Sequence, residues 1–180
     1  MTTLHILSNP YGITDLKYRM DPFNIAIIKF INNMQQYGYN IIHYGHELSK
    51  VSCEHVSVIF ENERHIINEN EMFVRDDKLI NKFNQRVSEA IGKNKSSDDI
   101  ILSYWGIAQK QATVNHQELI ICEPSIGYRT ECVFAPYRAF TSYAQMHYFY
   151  GQKNMLLSPS WYDEVIPNAF TPDEFEFNDK

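Results

Sequence analysis

The sequence predicts a single α/β domain built on a Rossmann-like, doubly wound and mainly parallel sheet flanked by helices. Two observations carry this. Short β-rich runs alternate with longer segments of helical periodicity, which is the order of βαβ units. Two of the short runs, Ile100 to Tyr104 and Leu119 to Cys122, are continuously apolar, as strands buried on both faces are. A length of 180 residues fits one domain, 1–180, with a sizeable core.

The elements follow in order. Thr3 to Leu7 is the first strand, and the loop SNPYGITDLKYRM leads from it to a helix starting at Asp21-Pro22. An acidic N-cap followed by proline is a start signal, and Gly38 is the stop. The helix's apolar face is Phe23, Ile27, Phe30, Ile31 and Met34, spaced to lie on a sheet. Asn40 to Tyr44 and His55 to Phe60 are the second and third strands. Asp77 to Ile91 is a second helix with the stripe Leu79, Ile80, Phe83, Val87, Ala90 and Ile91. After the two apolar strands, Phe134 to Tyr150 reads as a helix, with Pro136 near its start and Gly151 beyond its end. Asp163 to Ile166 is the last strand.

Composition narrows the function. A net charge of -6 gives no clustered basic footprint, so nucleic acid is not an expected partner. No segment approaches the roughly 20 apolar residues of a membrane span. The cysteines Cys53, Cys122 and Cys132 include no C-x-x-C pair, which predicts neither disulfides nor zinc and suits a reducing, cytoplasmic setting. No cofactor and no metal are expected for this domain. Aromatic residues reach 14%, enough both to fill a core and to line a cleft that stacks on rings.

In an open parallel sheet, ligands bind outside the carboxyl ends of the strands, where loops and helix N-termini converge. That rule selects Asn9, Tyr11 and Gly12 after the first strand and Gly45, His46 and Glu47 after the second. It also selects Trp105 and Gly106, the segment Glu123 to Tyr128 with Ser125 and Gly127, and Pro167 with Asn168. Glu123 has two open roles: orienting or deprotonating a hydroxyl, or accepting backbone N–H groups to hold its loop. His147 shares a helical face with Tyr143 and Phe140, and is either a packed histidine or a proton-transfer group. His43 and His46 lack a third ligand for a metal site. Nucleotide-binding glycine motifs and a nucleophile elbow are absent from the sequence.

Three segments, EPSIGY at Glu123 to Tyr128, FAPYRAFTSYAQMHYFYG at Phe134 to Gly151 and WYDEVIPNAFTPDEFEF at Trp161 to Phe177, resemble in order and spacing part of a known family. It is the N-terminal domain of GT-B-type glycosyltransferases, with a weaker likeness at Tyr39 to Glu47. The resemblance implies a domain that holds a sugar or glycan acceptor and faces a C-terminal domain carrying the nucleotide-sugar donor, with 168–180 as the exit toward that domain. It implies cleft residues at Glu123, Gly127, Tyr128, Tyr143, His147 and Asn168, with Glu123 and then His147 as catalytic candidates. Inverting and retaining chemistry both remain open. The chain departs from the family at Thr141 and Gln145, where Glu and Trp are usual, and at Tyr11 to Thr14, where a His-Thr pair is usual. Two alternatives stand beside this reading: a non-catalytic glycan- or protein-binding module, and a single-domain enzyme acting on nucleotides or nucleosides.

Overall fold

A computed structural model describes residues 2–18, 21–63, 76–154 and 160–169. Seven strands form one sheet: β1 (Thr3–Leu7), β2 (Asn40–His46), β3 (Glu54–Ile59), β4 (Ile100–Ser103), β5 (Ile120–Ile126), β6 (Tyr137–Phe140) and β7 (Glu164–Val165). Their order is β3-β2-β1-β4-β5-β6-β7, and every pairing is parallel. The helices are α1 (Pro22–Gln36), α2 (Asp77–Asn94), the short α3 (Lys110–Thr113) and α4 (Tyr143–Gln152). This is the predicted Rossmann-like architecture.

Both long helices start as the sequence indicates. The Asp21 carboxylate accepts from Phe23 N and Asn24 N, with Pro22 at the first helical position, and Asp76 does the same for Lys78 N and Leu79 N. Past the end of α1, Gly38 takes a φ of 78°, the left-handed conformation that lets the chain turn into β2. The helices cover opposite faces of the sheet. Ile27 and Ile31 of α1 pack on Leu4, Ile6, Ile41, Leu102 and Tyr104. Leu79, Phe83, Val87 and Ile91 of α2 pack on Leu7, Ile42, Tyr44, Ile101 and Ile121. Alternation along each strand sends successive side chains to the two faces, which makes the central strands apolar throughout.

One prediction fails. The segment 134–150 is not one helix but strand β6 followed by α4, so a seventh strand exists that periodicity did not reveal. Pro136 precedes the strand, and Ser142 caps the start of the helix, its hydroxyl accepting from Gln145 N. Tyr-Arg-Ala-Phe has no strong strand preference of its own. It becomes a strand because Cys122 and Glu123 of β5 pair with Tyr137 and Arg138, while Phe140 packs with Ile126, Phe149 and Tyr150. The turns at 106–116, including α3, were also not foreseen. Of the exit segment 168–180, residues 170–180 lie outside the described residues. Among the described residues, no helix is long and apolar enough to cross a membrane.

Candidate functional site

The sheet's connections reverse direction between β1 and β4, and the topology rule puts a ligand crevice there, at the strands' carboxyl ends. A buried amide ties its two walls together. Gln109 Nε2 donates to Ser8 O at 2.6 Å, while its Oε1 accepts from Ser103 Oγ at 2.8 Å and Trp105 N at 2.9 Å. Sequence reasoning missed Gln109, because a glutamine in an unassigned segment gives no signal of burial.

The loop after β1 is shaped by Asn9, whose Oδ1 accepts from Tyr11 N at 2.9 Å while its carbonyl accepts from Gly12 N at 3.2 Å. The Tyr11 hydroxyl accepts from Asp76 N at 2.9 Å, fastening this loop to the start of α2. Trp105 then forms the centre of an aromatic cluster, its ring centroid 4.8 Å from Phe23 and 6.5 Å from Tyr11, with Phe23 6.4 Å from Tyr128. Gly106 has a φ of 57°, and a Cβ there would lie 2.7 Å from Cys132 O, so only glycine fits. Asn9, Tyr11, Gly12, Trp105, Gly106 and Tyr128 therefore lie close together around this loop.

Glu123 corrects an expectation. It does not stand at a strand end, because β5 continues to Ile126 across a register shift, and the side chain has no exposure. Its Oε1 accepts from the Tyr128 hydroxyl at 2.6 Å; Oε2 accepts from Phe134 N at 3.0 Å and Ala135 N at 2.9 Å. Of the two roles open to it, this geometry is the loop-holding one. Burial raises its pKa above the usual Glu range against the pull of these bonds, and burial next to Glu123 pushes the Tyr128 phenol well up.

The neighbouring rim is built from the start of α4. Thr141 Oγ1 donates to Ile126 O at 3.2 Å, and Gln145 Nε2 donates to Tyr128 O at 2.7 Å. Both positions where the chain departs from the glycosyltransferase pattern thus bond inward to the 126–128 segment. A Cβ on the exposed Gly127 would lie 3.2 Å from Thr141 Oγ1. Tyr143 is 66% exposed, with its ring centroid 6.3 Å from that of His147. His147 is exposed too and does not share a helix with Phe140, which lies buried in β6. Ser125 sits half-buried within β5. Asn168 is exposed beyond β7, next to Ala169, whose carbonyl accepts from Lys29 Nζ of α1 at 2.9 Å. No described contact joins Asn168 to the Trp105 cluster.

The two histidines weighed for a metal site point to opposite faces of the sheet's edge, with His46 at the end of β2 rather than beyond it. His43 shares a 2.9 Å Nδ1–Nδ1 hydrogen bond with His55 and a 3.1 Å bond with Thr14 Oγ1. Burial, and then the neighbouring His55, lowers its pKa to about 3. Among the described residues, no three His, Cys, Asp or Glu side chains converge in a metal-binding arrangement. An open depression of about 620 Å³ lies at the ends of β2 and β3, lined by Glu47, Phe60, Glu61, Asn62, Glu63 and Arg86. Among the described residues lining it the one cation is Arg86, whose Nη1 donates to Glu63 Oε2 at 2.5 Å. Compared with known proteins, the sequence matches no family model and no curated relative.

Proposed function

We propose that the chain is an acceptor-binding domain of a GT-B-type glycosyltransferase, taking a sugar or glycan acceptor along the carboxyl edge of the sheet. One observation carries the reading. The described parts of the three resembling segments, separate in sequence, are bonded to one another: Glu123 holds Ala135, Gln145 holds Tyr128, and Arg138 Nε bonds Asp163 Oδ1 at 2.8 Å. The order of motifs thus coincides with a bonded unit, and its first two segments meet on the carboxyl side, where the topology rule puts a ligand.

On this reading the aromatic cluster around Trp105 receives the acceptor ring, and a second domain supplies the nucleotide-sugar donor. His147, open to solvent, is the candidate to accept the acceptor hydroxyl's proton in an inverting transfer, while Glu123 positions the Tyr128 loop. Calorimetric titration tests the division of labour: acceptor sugars bind, and nucleotide sugars bind only when a donor domain is supplied. Sugar transfer or tight nucleotide binding by these 180 residues alone would overturn it.

A second reading, a glycan-binding module without turnover, is favoured by one finding. Thr141, where the family pattern has Glu, bonds to Ile126 O and leaves that position without a carboxylate. Activity measured with a donor domain present separates the two.

A further inference from the structure

The face of the sheet under α1 carries a chain of hydrogen bonds that the candidate site does not use. His43, on β2 and without solvent exposure, shares a proton between its Nδ1 and His55 Nδ1 at 2.9 Å, and its Nε2 lies 3.1 Å from Thr14 Oγ1. The two imidazole centroids are 5.0 Å apart. His55 is half-buried on β3, the edge strand, with its Nε2 3.4 Å from Oγ of the exposed Ser57. Gly45 makes room for the inner ring, since a Cβ there would lie 2.6 Å from His43 Cε1. The chain thus runs from the sheet's edge to the loop after β1, where Thr14 is buried.

Proton counting fixes the direction of these bonds. An Nδ1–Nδ1 hydrogen bond holds one proton, and each neutral imidazole carries one. If His43 owns the shared proton, its bare Nε2 accepts the Thr14 O–H, and His55 keeps an Nε2–H toward Ser57 and water. If His55 owns it, His43 donates from Nε2 to Thr14, whose own O–H then needs another acceptor. Among the described residues, His43 Nε2 is the one hydrogen-bond partner of Thr14 Oγ1. A buried donor left unpaired disfavours the second arrangement by about tenfold or more, so the first holds while both rings are neutral.

We propose that His55, His43 and Thr14 form an acid-sensing relay, in which protonation of His55 at the sheet's edge turns the Thr14 hydroxyl from donor to acceptor in the loop after β1. One proton is taken up from solvent: His55 ends with two, and His43 keeps one, on Nε2 instead of Nδ1. Thr14 lines a small pocket with Asn9, Gly12, Asp21 and Asn24, and Asn24 Oδ1 is buried without a hydrogen-bond partner. The lining thus already holds an unpaired acceptor for the released O–H. Few charges bear on the pair. Asp15, next to Thr14, lies 3.9 Å from Lys50 Nζ and 4.0 Å from Lys17 Nζ, and Asp21 caps α1. Glu54 alternates to the opposite face of β3, Lys29 is the one charged residue within α1, and burial pushes the Cys53 thiol up to about 11, which keeps it neutral. Burial also lowers the His55 pKa below its ordinary 6.5, so the reversal falls at mildly acidic pH. The relay does not depend on the transferase reading.

Long-range ¹H–¹⁵N correlation of imidazole nitrogens reads the protonation of each of the chain's seven histidines, nitrogen by nitrogen. At about pH 8 the expected result is His43 protonated on Nδ1. As the pH falls from 6.5 to about 5, His55 gains its second proton and the His43 proton moves to Nε2 with the same midpoint. In His55→Phe, with the amide spectrum of the folded chain retained, the His43 transition disappears; the wild-type tautomers decide alone should that variant not fold. A His43 that keeps one tautomer across the range overturns the proposal, as does a His55 that stays neutral throughout it. A His43 transition that persists in His55→Phe overturns it too, because His43 then responds to its own titration.

Discussion

Replacing Glu123 separates its two conceivable roles. In Glu123→Ala the amides of Phe134 and Ala135 and the Tyr128 hydroxyl all lose their acceptor in a site without solvent exposure. An unpaired buried donor costs about 1 to 3 kcal/mol, so two stranded amides, partly relieved by entering water, predict a loss of about 4 kcal/mol. Glu123→Gln keeps a carbonyl oxygen for the two amides and turns its NH₂ toward the phenol oxygen, so its expected loss is about 1 kcal/mol. Urea unfolding at neutral pH measures both, through the midpoint at constant slope. A pH series adds a sign. Burial holds the Glu123 pKa above its unfolded value, so between the two values the folded chain keeps a proton that the unfolded chain has released. Stability from this position is greatest below the ordinary Glu pKa and declines as pH rises through the raised one, a dependence that Gln removes. If Ala and Gln variants unfold within about 0.5 kcal/mol of each other, the loop-holding role is wrong.

Three further outcomes are expected. Gly106→Ala forces a Cβ against Cys132 O in a left-handed conformation and should lose about 2 to 3 kcal/mol, read by thermal unfolding; an unchanged midpoint would refute the close approach. His43, held at a pKa of about 3 against an ordinary 6.5, resists protonation only while folded, so stability falls as pH drops below about 6.5. At about 1.4 kcal/mol per pH unit this site alone removes about 3 kcal/mol by pH 4.5, and a flat urea midpoint between pH 7 and 5 would contradict it. Arg86 holds the Glu63 carboxyl at about 2, so Arg86→Met should cost about 1 kcal/mol at pH 7 after solvent screening. That cost is present above the ordinary Glu pKa and disappears as pH falls toward 2, and unfolding of the pair of proteins across that range checks it.

How far sequence reached into this structure depended on where the deciding interactions lie. The start of α1 was legible because Asp21, Pro22 and Gly38 act locally, each through its own backbone geometry. Strands β4 and β5 were legible because burial on both faces leaves a continuous apolar run. By contrast β6 is a strand only through its pairing with β5 and the packing of Phe140, both fixed by residues distant in sequence. A topological rule needs only strand order to select the carboxyl ends beside β1 and β4, and among the residues it selects Asn9, Tyr11, Trp105, Gly106 and Tyr128 lie close together in the fold. Side-chain roles were less accessible. Nothing in Gln109 or Glu123 as letters shows that both are fully buried, one spanning the crevice and the other bracing its wall.

That bracing changes where chemistry has to be sought. A carboxylate saturated by two amides and a phenol has no free geometry for a substrate hydroxyl, and opening it would strand the same three donors. If an acceptor binds as proposed, the groups left to meet it are the Trp105 cluster, Gly127 with its bare backbone, and the exposed Tyr143–His147 pair at the start of α4. Replacing His147 by Gln should therefore leave folding within about 0.5 kcal/mol, since the side chain is exposed. If the transferase reading holds, the same change lowers turnover by about 10²-fold or more in the presence of a donor domain, with acceptor affinity unchanged. Equal loss of turnover in Glu123→Gln, with its fold intact, would return the proton-accepting role to the buried carboxylate.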